Sequence, residues 1–141
     1  VNQEKTVFQK IIDGELPAEK VWEDDRCIAI LDLFPANPGH ALVISKQPYP
    51  DLFSIDEETL CHCHRVAKRL ARAIKRATDC EGINILQNNG SASGQIIFHY
   101  HIHIIPRYTG DGLQIPKSGP KADEDYMREW GEKIRSQLKG V

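Results

Sequence analysis

The chain is 141 residues long, the size of one ordinary domain, with 40% hydrophobic and 27% charged residues. Eighteen basic against 20 acidic residues give a net charge of −2, which takes weight away from a dedicated nucleic-acid binder. The longest apolar runs, residues 27–31 and 41–44, are far short of a bilayer span, and the polar first residues carry no secretory pattern; no membrane association and a cytoplasmic location are expected.

In chain order, Thr6 is a candidate cap for a short helix through Val7, Phe8, Ile11 and Ile12, stopped by Gly14 and Pro17. Residues 20–23 and 26–32 read as two strands about a turn at Asp24 and Asp25. Pro35, Pro38 and Gly39 break the chain, and residues 40–46 read as a third strand. A long helix is expected over about 55–78. Ser54 or Asp56 would cap it, acidic residues fill its first turn, and Leu60, Cys63, Ala67, Leu70 and Ile74 recur at helical period. Its six bases, from Arg65 to Arg76, read as a solvated face. A fourth strand is expected at 82–87, a polar glycine-bearing loop at 88–95 and a fifth strand at about 99–106. An irregular stretch over 108–121 then leads to a helix at 122–138, with Tyr126, Met127, Trp130, Ile134 and Leu138 at helical spacing. No repeat or linker divides the chain, so residues 1–141 are expected to form one domain.

The four cysteines are expected as reduced thiols. The run Cys61-His62-Cys63-His64 resembles a metal cluster, but on a helix residues 61 and 63 point to nearly opposite sides and cannot clasp one ion. Cys63 reads as a small core residue, and His62 and His64 as incidental helix residues.

The informative segment is His99-Tyr100-His101-Ile102-His103-Ile104-Ile105. In a strand, alternate residues share a face, so His99, His101 and His103 line up at spacings of about 7 Å. Tyr100, Ile102 and Ile104 take the other face, suited to packing under the long helix. Three imidazoles in a core would leave many ring nitrogens to satisfy, so the polar face is expected to open onto a site. Such a row suits a metal, or nucleophilic and acid–base work on phosphate. The preceding loop favours phosphate: Gly90 and Gly94 let backbone N–H groups approach an anion, and neither loop nor strand holds a carboxylate to complete a metal shell.

This segment matches the histidine triad pattern, in which three histidines alternate with apolar residues. Residues 8–17, 21–25, 29–32, 35–44 and 88–107 extend the match, and together they resemble the Hint-like branch of the histidine triad (HIT) family over about residues 6–108. The resemblance implies an α+β fold, a five-stranded antiparallel sheet with a long helix, and a homodimer with a continuous ten-stranded sheet. It implies a purine nucleotide such as AMP or a phosphoramidate as ligand, with hydrolysis at the α-phosphorus; no cofactor is expected, and no metal at the site residues. His101 resembles the nucleophile that forms a nucleotidyl-histidine, and His103 the holder of phosphate oxygens. His99 and His40 resemble supporting histidines. Asn88 and the backbone of Gly94, Gln95 and Ile96 resemble phosphate and leaving-group contacts, and Asp32 the ribose carboxylate. Phe8, Ile11, Leu16, Ile30 and Leu33 resemble the base pocket.

The chain departs from the pattern in three respects, one being a tail after Arg107 longer than in the shortest Hint proteins. Ile96 stands where Hint-like enzymes often have Ser or Thr, which removes a hydroxyl able to assist the leaving group. Thr6, Gln9 and Pro48 stand where some members ligate a structural zinc, so no such zinc is expected. The resemblance leaves three further readings open: a dinucleoside polyphosphate hydrolase, a nucleotide-binding protein with little catalysis, and a metal protein on His99, His101 and His103.

Overall fold

The structure, a computed structural model, describes residues 4–114 and 118–139; the first three residues and part of the irregular stretch discussed above lie outside it. Its elements are α1 (Val7–Ile12), β1 (Lys20–Glu23), β2 (Cys27–Leu31), β3 (Ala41–Ser45), α2 (Glu57–Thr78), β4 (Gly82–Leu86), β5 (His101–Arg107) and α3 (Glu124–Leu138). The strands form one antiparallel sheet in the order β1-β2-β3-β5-β4, so the fold is the expected α+β arrangement of five strands and a long helix.

Local chemistry sets the element ends. Thr6 Oγ1 accepts the Gln9 N–H at 3.1 Å and starts α1; Asp56 accepts the Thr59 N–H at 3.1 Å and starts α2. Asp123 accepts the Tyr126 N–H at 2.8 Å and starts α3. α2 begins two residues later than its periodicity suggested, because the Asp51 carboxylate accepts the Phe53 and Ser54 N–H groups and holds that segment in a turn. β5 begins at His101 rather than at residue 99. The Tyr100 N–H donates to the Tyr49 carbonyl at 2.7 Å, in the loop after β3, while its carbonyl accepts the N–H of Ser45 at the end of β3.

Each face of the sheet has its own cover. Cys27, Ala29, Ala41, Val43, Ile102 and Ile104 face α2, packing with Leu70, Ile74 and Tyr100 in the main core. Ile28, Ile30, Leu42 and Ile44 face the other way and pack with Phe8 and Ile11 of α1. β2 and β3 are therefore buried on both faces, which is why they read as continuous apolar runs. α3 packs on α2 and β1 through Met127 and Ile134, closing the β1 edge. Among the described residues no helix is long and apolar enough to cross a membrane.

Candidate active site

On the α1 side of the sheet lies a cleft of about 520 Å³. Register puts His101 opposite Ile44 and His103 opposite Leu42, so both histidines share the face that carries the cleft. Their rings lie 5.1 Å apart between centroids, and that of His101 lies edge-on to Phe8 at 4.9 Å. The sequence pattern put three histidines on this opening; the structure opens two. His99 is fully buried: its Nε2–H donates to the Ser45 carbonyl at 2.6 Å, and Nδ1 lies 3.5 Å from the Thr6 hydroxyl. It joins the triad to α1 instead of facing the cleft.

Hydrogen bonds fix which ring nitrogens carry protons. The Ala36 N–H donates to His40 Nδ1 at 3.0 Å, so His40 holds its proton on Nε2. That Nε2–H donates to His103 Nδ1 at 2.9 Å, which leaves His103 protonated on Nε2. His101 is the opposite case. Its Nδ1–H donates to the His99 carbonyl at 2.7 Å, leaving Nε2 as a bare lone pair. The two cleft histidines thus offer one lone pair and one N–H donor side by side.

The remaining expected site residues fall around this pair. Asp32 lies just past β2 and lines the cleft; Oδ1 accepts the Phe34 N–H at 2.8 Å and Oδ2 lies 3.4 Å from His40 Nε2. One oxygen therefore caps the turn and the other remains available. Phe8, Ile11, Leu16, Ile30 and Leu33 all line the cleft, as do Asn88, Gly94, Gln95 and Ile96. Gly94 has φ +102°, open to glycine, and the Asn88 amide packs against it. The Gln95 side chain is spent on holding the loop, where Oε1 accepts the Gly90 N–H and Nε2 donates to the Pro50 carbonyl between β3 and α2. Ile96 is 85% exposed.

The family model described as the HIT domain matches residues 13–110. The adenylylsulfatase HINT3 of Arabidopsis thaliana is 44% identical over 116 residues, 82% of this chain and 59% of that protein. A Hit-like protein involved in cell-cycle regulation from Bartonella henselae superposes with a TM-score of 0.88 at 36% identity, covering 97% of this chain and 98% of that one. The chain belongs to the HIT family. A hypothetical histidine triad nucleotide-binding protein from Sulfolobus tokodaii strain 7 superposes with a TM-score of 0.86 at 36% identity, over 94% of this chain and 91% of that one.

Burial sets the charge state of this HIT site. It lowers His40 to about 3, helped by His103, and His103 to about 4, helped by His101. His101 is lowered by burial too, although its bond to the His99 carbonyl opposes the shift. Burial raises the Asp32 carboxyl against the pull of the Phe34 N–H. At neutral pH the imidazoles are uncharged, so the His101 lone pair is available.

Residues the sequence reading passed over also shape the site. Leu42 and Ile97 line the cleft from β3 and the loop before β5; Ser118 and Met127 line it from the C-terminal segment, outside the HIT match. Leu42 was legible as an inward position of β3, whereas nothing local marks Met127 as anything but core. His62 and His64 are not incidental. The former donates to Asp24 at 2.7 Å, and the latter lies 3.2 Å from the Tyr100 hydroxyl.

Proposed function

We propose that this protein is a nucleotide hydrolase that cleaves nucleoside phosphoramidates or related adenylates at the α-phosphorus through a nucleotidyl-histidine on His101. The observation that carries the reading is the proton-locked pair: a bare His101 Nε2 beside an Nε2–H on His103, at one end of an apolar cleft. The His101 lone pair attacks phosphorus, the bond to the leaving group breaks, and that group departs with the bonding pair and takes up a proton. Water then cleaves the P–N bond to His101 and releases the nucleoside monophosphate. The His103 N–H holds a phosphate oxygen, where its hydrogen bond strengthens as negative charge builds. His40 and His99 act as positioning residues, His40 through Nε2–H to His103 and His99 through its carbonyl to His101.

The rest of the cleft takes the rest of the ligand. The free Asp32 oxygen suits the ribose hydroxyls, and Phe8, Ile11, Leu16, Ile30 and Leu33 sandwich a purine. Asn88 and the backbone over Gly94–Ile96 face the phosphate and leaving group. The names of the HINT3 and Sulfolobus relatives, an adenylylsulfatase and a nucleotide-binding protein, support a nucleotide ligand. No metal or cofactor is invoked.

Two copies would join along β4, an unpaired edge with Ile85 49% exposed. Phe53 and Phe98, also exposed, would add to that interface. We read the chain as one domain acting in the cytoplasm, where its free cysteines stay reduced.

The test is turnover of an adenosine phosphoramidate and of a diadenosine polyphosphate by the wild type and by His101→Ala. Phosphoramidate turnover by the wild type alone, with AMP binding kept by the variant, is the expected result. Faster polyphosphate cleavage would change the substrate class. AMP binding with no turnover of either would make the protein a binder.

A further inference from the structure

The strand order gives the cleft a direction. His101 and His103 stand on β5, Leu42 on β3, Ile30 on β2, and Glu19 just before β1 lines the far end. Three strand spacings separate β5 from β1, about 14 Å, ample for a nucleoside monophosphate laid across the sheet. Phosphate chemistry at β5 therefore puts the far edge of the base at β1. Residues 16–19 lead into β1 there, and part of the wall comes from outside the matched HIT region, which ends at residue 110. That part is Met127 of α3, 8% exposed, and Ser118, both of which line the cleft.

That wall is built to stay in place. The Gly119 N–H donates to the Phe34 carbonyl at 3.1 Å and the Ala122 N–H to the Leu33 carbonyl at 2.9 Å, strapping the segment to the loop just after Asp32. The strap lies so close that a Cβ on Gly119 would clash with the Pro35 carbonyl oxygen. α3 is anchored in turn through Arg135, which pairs with Glu19 and donates to the Lys20 carbonyl. Gly131 lets the helix approach, since a Cβ there would lie 2.6 Å from Glu19 Oε2.

We infer that the C-terminal segment supplies the end wall of the base slot, and that Met127 is a specificity-determining residue reading the far edge of the purine ring. The inference rests on the nucleotide reading above. A thioether against a ring edge is a favourable and shape-tolerant contact. A fixed end wall also limits what the base can carry on its far edge, which in adenine is the N6 amino group.

The experiment is calorimetric binding of AMP, ribose 5-phosphate and N6-benzyl-AMP to the full chain as wild type, Met127→Ala and Met127→Trp. Wild type should bind AMP more tightly than N6-benzyl-AMP. In Met127→Ala, AMP affinity should fall between about 2-fold and 10-fold relative to ribose 5-phosphate, the value of a lost sulfur–ring contact, and the discrimination against the benzyl group should shrink. Met127→Trp, which shortens the slot, should lose AMP by more than it loses ribose 5-phosphate. An AMP to ribose 5-phosphate ratio unchanged in both variants overturns the inference while leaving the nucleotide reading intact. Absence of AMP binding to wild type overturns both. Should the variants fail to fold, equal wild-type affinity for AMP and N6-benzyl-AMP overturns it, and a clear preference for AMP upholds it.

Discussion

Two Asp–His clusters lie among the described residues, and they differ in what they leave unspent. Asp24, Cys27 and His62 converge where the β1–β2 turn meets α2; Asp32, His40 and His103 converge at the cleft. In the first, Asp24 accepts the Trp22 indole N–H at 2.7 Å, His62 Nε2–H at 2.7 Å, and the N–H groups of Arg26 and Cys27 at 2.8 and 3.0 Å. Burial alone would raise this carboxyl, but those four donors hold it well below the ordinary range. Its hydrogen-bonding capacity is spent on tying a turn to a helix. In the second cluster, the chain from Ala36 through His40 ends on a His103 proton with no acceptor among the described residues, beside a lone pair on His101. Both pair an aspartate with histidine, but the second directs a donor and an acceptor into the cleft that carries His101 and His103.

The comparison breaks most sharply at His101. His101→Ala should cut turnover on the order of a thousandfold or more while AMP affinity changes little, read by steady-state kinetics beside calorimetry. His40→Ala should cost on the order of a hundredfold in turnover, because His103 loses the donor that fixes its tautomer. His40→Gln, which can still donate to His103, should recover part of that loss; equal damage from both substitutions would mean that His40 only fills space. Asp24→Ala should do the reverse. Denaturant unfolding should show a loss of about 2–4 kcal/mol, from stripping partners off a charged acceptor, with turnover per folded molecule within about twofold of wild type.

Acid should reveal the second cluster in the stability curve. His40 and His103 have lower pKa values folded than unfolded, so the unfolded chain binds more protons below the ordinary histidine pKa of 6.5. Their contribution is whole above pH 6.5 and drains away as pH falls toward about 3 to 4. His40 alone should account for about 2 kcal/mol by pH 5. Denaturant midpoints from pH 7.5 to 4.5 check this, and His40→Gln should flatten the slope. A slope unchanged in that variant would mean that other groups carry the acid sensitivity.

Much of this contrast was legible in the sequence. The alternation from residue 99 to 105 placed His101 and His103 on one face and Tyr100, Ile102 and Ile104 under α2, and the structure has both. The caps at Thr6 and Asp56 were readable because one side chain and one amide decide them. Alternation could not show that His99 lies buried, since that depends on α1 folding over it from ninety residues away. Nor could the helical period of α3 show that Met127 reaches the cleft. The period marks a core face, but which end of the sheet α3 covers is set by long-range packing against Glu19 and the loop after Asp32. Nor could the sequence show how the Asp32 oxygens divide, since the folded loop sets one to cap the turn at Phe34 and the other to lie near His40.

The most direct test of the account is the mass of the protein during turnover. Wild-type enzyme mixed with an adenosine phosphoramidate and quenched within a turnover should carry one adenylyl group, mapped by peptide fragmentation to His101 and absent from His101→Ala. Turnover by wild type with no adenylylated protein at any quench time, or with the group on another residue, would contradict it.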